Sequence, residues 1–152
     1  MLPRDLRELL LAFNAHAVDY LVVGGYAVGV HAEPRATKDL DVLVRPLSAN
    51  AELVYQALAV FGAPLDNVAP ADFCGDPKAV FQVGQPPLRI DILQHIDGVS
   101  FDEAWSNRVE ADIDGIPVHV ISAADLIRNK TASGRLQDLA DAAAVREATG
   151  EK

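Results

Sequence analysis

The sequence contains little cysteine, few aromatic residues, no excess of positive charge and no long apolar run. A single cysteine, Cys74, excludes an internal disulfide and a cysteine-rich zinc site, and it predicts a reducing, cytoplasmic location. With 13 Lys and Arg against 22 Asp and Glu, the formal charge is −9, which argues against a broad surface for duplex nucleic acid. The apolar stretch at 20–30 is short and contains three glycines, so no membrane-spanning segment is predicted. Charges at positions 4–8 also argue against a signal peptide.

The length of 152 residues, half of them hydrophobic, predicts one domain. Apolar periodicity, capping patterns and Gly/Pro breaks predict helices at 3–17, 26–31, 53–61, 100–108, 122–133 and 135–149, and strands at 20–23, 39–44, 78–83, 88–96, 109–113 and 116–121. We expect an α/β (α+β) domain with a mixed sheet flanked by helices. Its core would span about residues 20–121, followed by a C-terminal helical segment over about 122–149.

Local patterns make these predictions more specific. The strands at 78–83 and 88–96 are most simply antiparallel, and Asp114-Gly115 predicts a two-residue hairpin turn between the last two strands. Ser100 and Glu103 have the spacing of a capping box. The first helix carries an apolar row, made of Leu6, Leu9, Leu10, Phe13 and Ala17.

Two of the predicted strands alternate charged and apolar residues. Asp39 and Asp41 are two apart, so on a strand both carboxylates face one side, with Cα atoms roughly 6.6 Å apart. Residues 88–92 repeat the alternation, and there Asp91 shares a face with Arg89. If the two strands are neighbours, three carboxylates converge on one surface of the sheet.

Converging carboxylates need a counter-charge, because two unit charges 4 Å apart repel by about 4 kcal/mol at an effective dielectric constant near 20. Bound protons, cationic side chains or a divalent metal would supply it. Ligands that offer only oxygen favour Mg²⁺ or Mn²⁺, and three carboxylates around two such ions form a phosphoryl-transfer site. The alternative is a solvated acidic rim without chemistry, although the regular placement of apolar residues opposite the acids weighs against it.

A glycine pair, Gly24-Gly25, separates the first predicted strand from the following helix. Glycine backbone approaches a phosphate without interference from a Cβ atom, and the N-terminus of a helix favours anions. The spacing differs from that of a dinucleotide fold and of a P-loop. By itself the pair is equally consistent with a tight turn.

Together these motifs resemble the polymerase-β-like nucleotidyltransferase superfamily. The form Arg-x-Thr-x-Asp-x-Asp narrows the resemblance to the minimal and toxin-type (AbiEii-like) members, whose C-terminal helical segment contributes to the site. The segments that carry the resemblance are Val22-Val23-Gly24-Gly25, Arg35-Ala36-Thr37-Lys38-Asp39-Leu40-Asp41, Arg89-Ile90-Asp91, Leu126-Ile127-Arg128-Asn129-Lys130 and Gly134-Arg135-Leu136-Gln137-Asp138-Leu139-Ala140-Asp141.

The resemblance implies transfer of a nucleoside monophosphate from a nucleoside triphosphate to an acceptor hydroxyl, with release of pyrophosphate. Gly24 and Gly25 would then hold the triphosphate, and Asp39 and Asp41 would bind Mg²⁺ or Mn²⁺.

The same resemblance gives roles to residues elsewhere in the chain. Asp91 would complete the second metal site and act as the general base. Lys130 would reach the phosphates, and Asp138 would position Lys130 or a group of the substrate. Arg35 and Thr37 would either orient the loop before Asp39's strand or contact substrate, two roles that the sequence leaves equally open.

Two other functions stay open at this point. Tyr26 follows the glycine pair where many active members carry serine. This leaves a catalytically weak nucleotide-binding module, such as half of a toxin-antitoxin pair, as an alternative. The other is a protein-interaction domain with a solubilising acidic rim. The acceptor is equally open, since such enzymes modify antibiotics, tRNA ends or protein hydroxyls, and a short chain suggests a homodimer or a partner subunit.

The last predicted helix carries an apolar row that we expect to be buried, made of Leu136, Leu139, Ala140 and Ala143. Beside that row, Asp141 is expected on a solvated face. The four histidines lie on separate elements without metal-ligand spacing. For His95 and His119, within or at the end of predicted strands, we expect structural roles.

Overall fold

The computed structural model describes residues 2–33, 37–84 and 87–152. Arg35, a predicted site residue, lies outside this part of the chain. The helices are α1 (Arg4–Ala15), α2 (Gly24–His31), α3 (Ser48–Phe61), α4 (Phe101–Ser106), α5 (Ala123–Ser133) and α6 (Leu136–Thr149), with a short 3-10 helix at Pro70–Phe73. The strands are β1 (Tyr20–Val23), β2 (Asp39–Val44), β3 (Val80–Val83), β4 (Arg89–Leu93), β5 (Val109–Ile113) and β6 (Ile116–Val120).

The six strands form one mixed sheet in the order β3-β4-β2-β1-β6-β5. The central pairs β2–β4 and β1–β6 are parallel, whereas β1–β2 and the outer pairs β3–β4 and β5–β6 are antiparallel. The predicted mixed α/β class and the predicted antiparallel arrangement of β3 and β4 are therefore confirmed. Asp114 and Gly115 both adopt positive φ, as the predicted two-residue hairpin turn between β5 and β6 requires.

The core lies between this sheet and the helices that flank it. Helix α1 packs against α3 and β6 and buries four members of its predicted row, Leu6, Leu9, Leu10 and Phe13. The fifth, Ala17, lies beyond the end of the helix and is exposed. Helix α2 packs on β1 and β2, and it also contacts α5 and α6, which pack against each other. Every residue of β1 is buried, so the strand that leads into the glycine pair is fixed from both sides.

Several boundaries differ from the prediction by a few residues. Helix α1 ends at Ala15 rather than at residue 17, because Ala17 adopts a positive φ, which is incompatible with a right-handed helix. Helix α2 already begins at Gly24, so the glycine pair forms the first turn of the helix instead of a linker in front of it. Ser100 and Glu103 form the predicted capping box at the start of α4.

The orientation of α6 is a clear correction. Its predicted buried row is exposed, with Leu136 88% and Leu139 43% accessible to solvent. The buried face instead carries Asp138, Asp141, Ala142 and Val145. The expectation that Asp141 lies on a solvated face is therefore wrong. Two aspartates tolerate burial here because a lysine of α5 lies between them.

None of the helices in the described ranges is both long and apolar enough to cross a membrane.

Candidate active site

The parallel pairing of β2 with β4 brings together the charged residues of the two alternating segments. In the register of the sheet, Asp39 lies beside Arg89 and Asp41 lies beside Asp91. Because side chains alternate along a strand, these four residues occupy one face of the sheet. The apolar residues between them, including Leu40 and Ile90, are buried on the other face.

Arg89 lies between two of the three carboxylates. Its Nη2 atom donates a hydrogen bond of 3.2 Å to Asp39 Oδ2. Its Nε atom lies 3.2 Å from Asp91 Oδ1, but the N–H does not point at that oxygen, so Asp91 Oδ1 is buried without a hydrogen bond from the described residues. The Arg89 side chain is 45% exposed, whereas that of Asp91 is 14% exposed.

Burial and mutual repulsion shift the titration of these acids. Burial, with the negative charges of Asp91 and Asp39, raises the pKa of Asp41 to about 6. Burial also raises the pKa of Asp91, although the neighbouring Arg89 opposes that shift. The carboxylates are therefore incompletely neutralised by the side chains around them.

Gly24 places the start of α2 directly against this group. It adopts a φ of +65°, and a Cβ atom on it would overlap Asp41 Oδ2. Among the described residues no side chain caps the N-terminus of α2, and the first backbone N–H groups of a helix have no acceptor within the helix itself. An anion at this helix end would lie close to Asp41.

Lys130 of α5 is held between two buried acids of α6. Its Nζ atom lies 3.3 Å from Asp138 Oδ1 and 3.3 Å from Asp141 Oδ2. Arg135 Nε contacts the other oxygen of Asp138 at 2.7 Å. Burial alone would raise the pKa of Asp138, but the hydrogen bonds from Arg135 and Lys130 outweigh it and lower that pKa. Gln137 donates a hydrogen bond of 2.9 Å to Asp141 Oδ1.

Two small polar cavities meet at this group of charges, and both are lined by Asp41, Lys130, Arg135 and Asp138. The first, of about 220 Å³, extends past Gly24 towards His95 and Asp97. The second, of about 280 Å³, is lined in addition by Gly25, Thr37, Asp39, Gln137 and Asp141.

The structure thus gathers the glycine pair, Thr37, Asp39, Asp41, Lys130 and Asp138 around two adjoining cavities. Asp91 lines neither of them and joins the group through its register with Asp41. Sequence reasoning missed Asp141, His95 and the cavity-lining position of Arg135. Asp141 lies three residues after Asp138, so both side chains are on one face of the helix, and this spacing could have identified Asp141 from the sequence.

The histidines divide between packing and the cavity. His31 Nε2 lies 2.7 Å from the carbonyl oxygen of Ile121, and His119 Nδ1 lies 2.6 Å from Glu110 Oε2, so both have structural partners. His95 is more than half exposed, 3.8 Å from Asp97, at the wall of the first cavity.

The donors on the sheet fit a hard divalent cation in their chemistry. They are carboxylate oxygens, and Asp91 Oδ1 is a buried oxygen that still lacks a donor. Within the described ranges, no three His, Cys, Asp or Glu side chains are yet arranged as a closed metal cluster. Arg89 forms ion pairs with both Asp39 and Asp91, so its guanidinium lies between these two carboxylates.

The fold is similar to those of solved nucleotidyltransferases. The antibiotic-resistance factor ANT(2'')-Ia matches with a TM-score of 0.65 over 94% of this chain and 81% of its own, at 13% identity. Lincomycin-bound lincosamide antibiotic adenylyltransferase LnuA matches with a TM-score of 0.63 over 98% of this chain and 99% of its own, at 15% identity. An antigenic nucleotidyltransferase-like protein from Paracoccidioides brasiliensis matches with a TM-score of 0.55 over 94% and 75%, at 16% identity.

Identities this low show a shared fold only. No curated protein matches the chain in sequence. The sequence profile of a family described as "Nucleotidyltransferase of unknown function (DUF6036)" matches residues 2–146. This match confirms the nucleotidyltransferase superfamily predicted from the motifs, whereas the narrower toxin-type subgroup stays a prediction. The match spans the six strands and the candidate site residues from Gly24 to Asp141, and the chain belongs to this nucleotidyltransferase family.

Proposed function

We propose that the protein is a divalent-metal-dependent enzyme that transfers a nucleoside monophosphate from a nucleoside triphosphate to an acceptor hydroxyl and releases pyrophosphate. The observation that carries the proposal is the register of β2 and β4, which sets Asp41 beside Asp91 on the same sheet face as Asp39. The uncapped start of α2 adjoins this face. Acidic oxygens next to a site for an anion are what a metal–triphosphate complex requires.

The triphosphate would be held from two sides. On one side, the backbone N–H groups at Gly24 and Gly25 form the positive end of α2. On the other side, Lys130 would contribute a point charge, and Asp138 and Asp141 hold its Nζ atom at the wall shared by both cavities. Asp138 is thus a positioning residue for Lys130 in this proposal. Thr37 lines the second cavity, and we propose that it contacts substrate, as we also propose for Arg35.

Asp39 and Asp41 would hold Mg²⁺ or Mn²⁺, and Asp91 would complete the second site; the bound metal supplies Lewis-acid charge at the phosphates. In the reaction, the acceptor oxygen forms a bond to the α-phosphorus and the bond from that phosphorus to the pyrophosphate oxygen breaks. The electron pair leaves with pyrophosphate, and the proton of the acceptor hydroxyl passes to Asp91 as general base.

The identity of the acceptor is a separate question from the type of reaction. Solved relatives with this fold include an adenylyltransferase bound to lincomycin and ANT(2'')-Ia bound to adenylyl-2''-tobramycin. An antibiotic is therefore one acceptor class to test, beside a tRNA end or a protein hydroxyl. We retain the toxin-antitoxin setting and a cytoplasmic location as predictions from the sequence. Because the cavities are small, we propose that a homodimer or a partner subunit completes the acceptor site. We also propose that the chain forms a single domain, whose C-terminal helical segment spans about 122–149.

The proposal is tested by incubating the purified protein with each α-³²P-labelled nucleoside triphosphate, with Mg²⁺ or Mn²⁺, and with cell extract or candidate aminoglycosides and lincosamides. We expect metal-dependent labelling of an acceptor with matching release of pyrophosphate. Asp91→Asn should lower the rate at least about 100-fold, because it removes the general base. The matched control is Asp66→Asn, which changes an exposed aspartate in the connection after α3.

Nucleotide binding without transfer would overturn the enzymatic proposal and favour the nucleotide-binding module. Equal activity of Asp91→Asn and the parent protein would overturn the assignment of the site.

A further inference from the structure

The three carboxylates of the sheet face already have a cationic neighbour in Arg89. Among the described residues, it is the cation that lies within 4.0 Å of Asp39 and Asp91. The contact follows from the backbone, because Arg89 faces Asp39 across the parallel pair and precedes Asp91 by two positions on β4. Its guanidinium therefore occupies the space between acids that a shared metal ion would need.

The hold of Arg89 on this position is weak. It makes a hydrogen bond of 3.2 Å to Asp39, a carboxylate that is itself 42% exposed. The contact with Asp91 at 3.2 Å is an ion pair without hydrogen-bond geometry, and Asp91 Oδ1 is left unsatisfied. With 45% of its side chain exposed, Arg89 can turn to solvent without leaving a cavity in the core. Exposed ion pairs of this kind are readily exchanged.

We propose that Arg89 is the resident counter-ion of the metal-free site, and that its guanidinium is displaced from Asp39 and Asp91 when these carboxylates bind a divalent cation. Arg89 is then a positioning residue that sets metal affinity. The inference rests on the proposed function, because it takes the three carboxylates as metal ligands. It also explains why those carboxylates are crowded on one sheet face without forming a closed cluster of ligands.

The test measures binding of Mn²⁺ alone by electron paramagnetic resonance, in the absence of nucleotide, with the full chain. Arg89→Gln removes the guanidinium and should bind Mn²⁺ roughly two- to fivefold more tightly, which corresponds to the loss of one exposed competing ion pair. In EDTA, the same variant should unfold at a lower temperature than the parent protein, because its carboxylates then repel without a neighbour. Asp41→Asn should weaken Mn²⁺ binding in either background, which shows that the ion is at this site.

Arg89→Lys separates displacement from a simple change in net charge. Lysine keeps the positive charge but lacks the planar fork that reaches two carboxylates at once. It should bind Mn²⁺ more tightly than the parent protein and less tightly than Arg89→Gln. It also carries the test if Arg89→Gln does not unfold cooperatively.

Equal Mn²⁺ affinity in the parent protein and both Arg89 variants would overturn the inference about Arg89 and leave the metal site standing. An unchanged affinity in Arg89→Lys beside a tighter Arg89→Gln would also overturn it, because net charge alone would then explain the effect. Absence of Mn²⁺ binding in the parent and in the variants would overturn the metal-dependent function together with this inference.

Discussion

At the scale of single residues, Gly24 has two independent reasons to be glycine. Its φ of +65° disfavours any side chain, and a Cβ atom would overlap Asp41 Oδ2. We expect Gly24→Ala to lose about 1–2 kcal/mol from backbone strain and more from displacement of Asp41. Urea unfolding measures the loss, and titration with a nucleoside triphosphate and Mg²⁺ should show weakened binding.

Gly115→Ala is the matched control for this change. Gly115 also adopts a positive φ, of +83°, but no described residue has an atom within 4 Å of the position that a Cβ atom would take. It should lose only the strain contribution and bind nucleotide normally. Equal losses of stability and binding in the two variants would show that the contact with Asp41 is unimportant.

Asp41 gives a prediction for pH. Burial and the neighbouring acids raise its pKa from 3.8 to about 6 in the folded protein. Between these values the folded state holds a proton that the unfolded state has lost, so the metal-free protein loses stability as pH rises from about 4 to about 6. A shift of this size corresponds to at most about 3 kcal/mol, and solvent screening reduces it.

Urea unfolding in EDTA across this pH range measures the effect. Asp41→Asn should remove that pH dependence and be more stable than the parent at pH 8, because the amide carries no charge. The outcome against this prediction is an Asp41→Asn protein that is less stable than the parent at pH 8 with an unchanged pH profile.

At the scale of elements, α6 buries a mixed charged and apolar face and exposes leucine. Val145 is fully buried, whereas Leu136 is 88% exposed. We expect Val145→Ala to lower the free energy of unfolding by roughly 2 kcal/mol through lost burial and a new cavity. Leu136→Ala, the larger truncation, should change it by less than about 0.5 kcal/mol. Thermal and urea unfolding distinguish the two, and the reverse order would show that α6 packs through its leucine face.

The elements also show which patterns the sequence makes predictable. The alternation in residues 39–44 and 88–92 correctly predicted the faces of β2 and β4, because a period of two depends only on the strand itself. The hairpin at Asp114-Gly115 was equally local. The face of α6 was not predictable by this route. Its orientation depends on Lys130 of another helix, which compensates the burial of two aspartates.

The same distinction applies to the site. The shared face of Asp39 and Asp41 followed from spacing alone, but the position of Arg89 beside Asp39 depends on the register between two strands. A shift of that register by one residue would turn Arg89 away from the acids. No local pattern encodes such a register, so the Arg89 contacts were visible only in the folded chain.

At the scale of the whole molecule, the C-terminal helices belong to the hydrophobic core as well as to the site. Leu126, Ile127, Ala142 and Val145 are buried in the same cluster as the sheet. We therefore expect a chain that ends at residue 121 to lose cooperative unfolding and to bind a hydrophobic dye, because α2 and the rest of the apolar cluster would expose the surface that α5 and α6 cover. Calorimetry and dye fluorescence test this. A truncated chain that melts cooperatively at the parent temperature would show that the segment is only appended.

The pairing of β2 with β4 affects when the group of three carboxylates forms during folding. The partners Asp39 and Arg89 are 50 residues apart along the chain. Closing a loop of that length is entropically costly and slow compared with forming a hairpin or a helix. A nascent polypeptide leaving the ribosome therefore has its glycine helix and first acidic strand long before the second strand arrives. We therefore expect the carboxylate group to be assembled late in folding, in the same kinetic step that completes the central sheet.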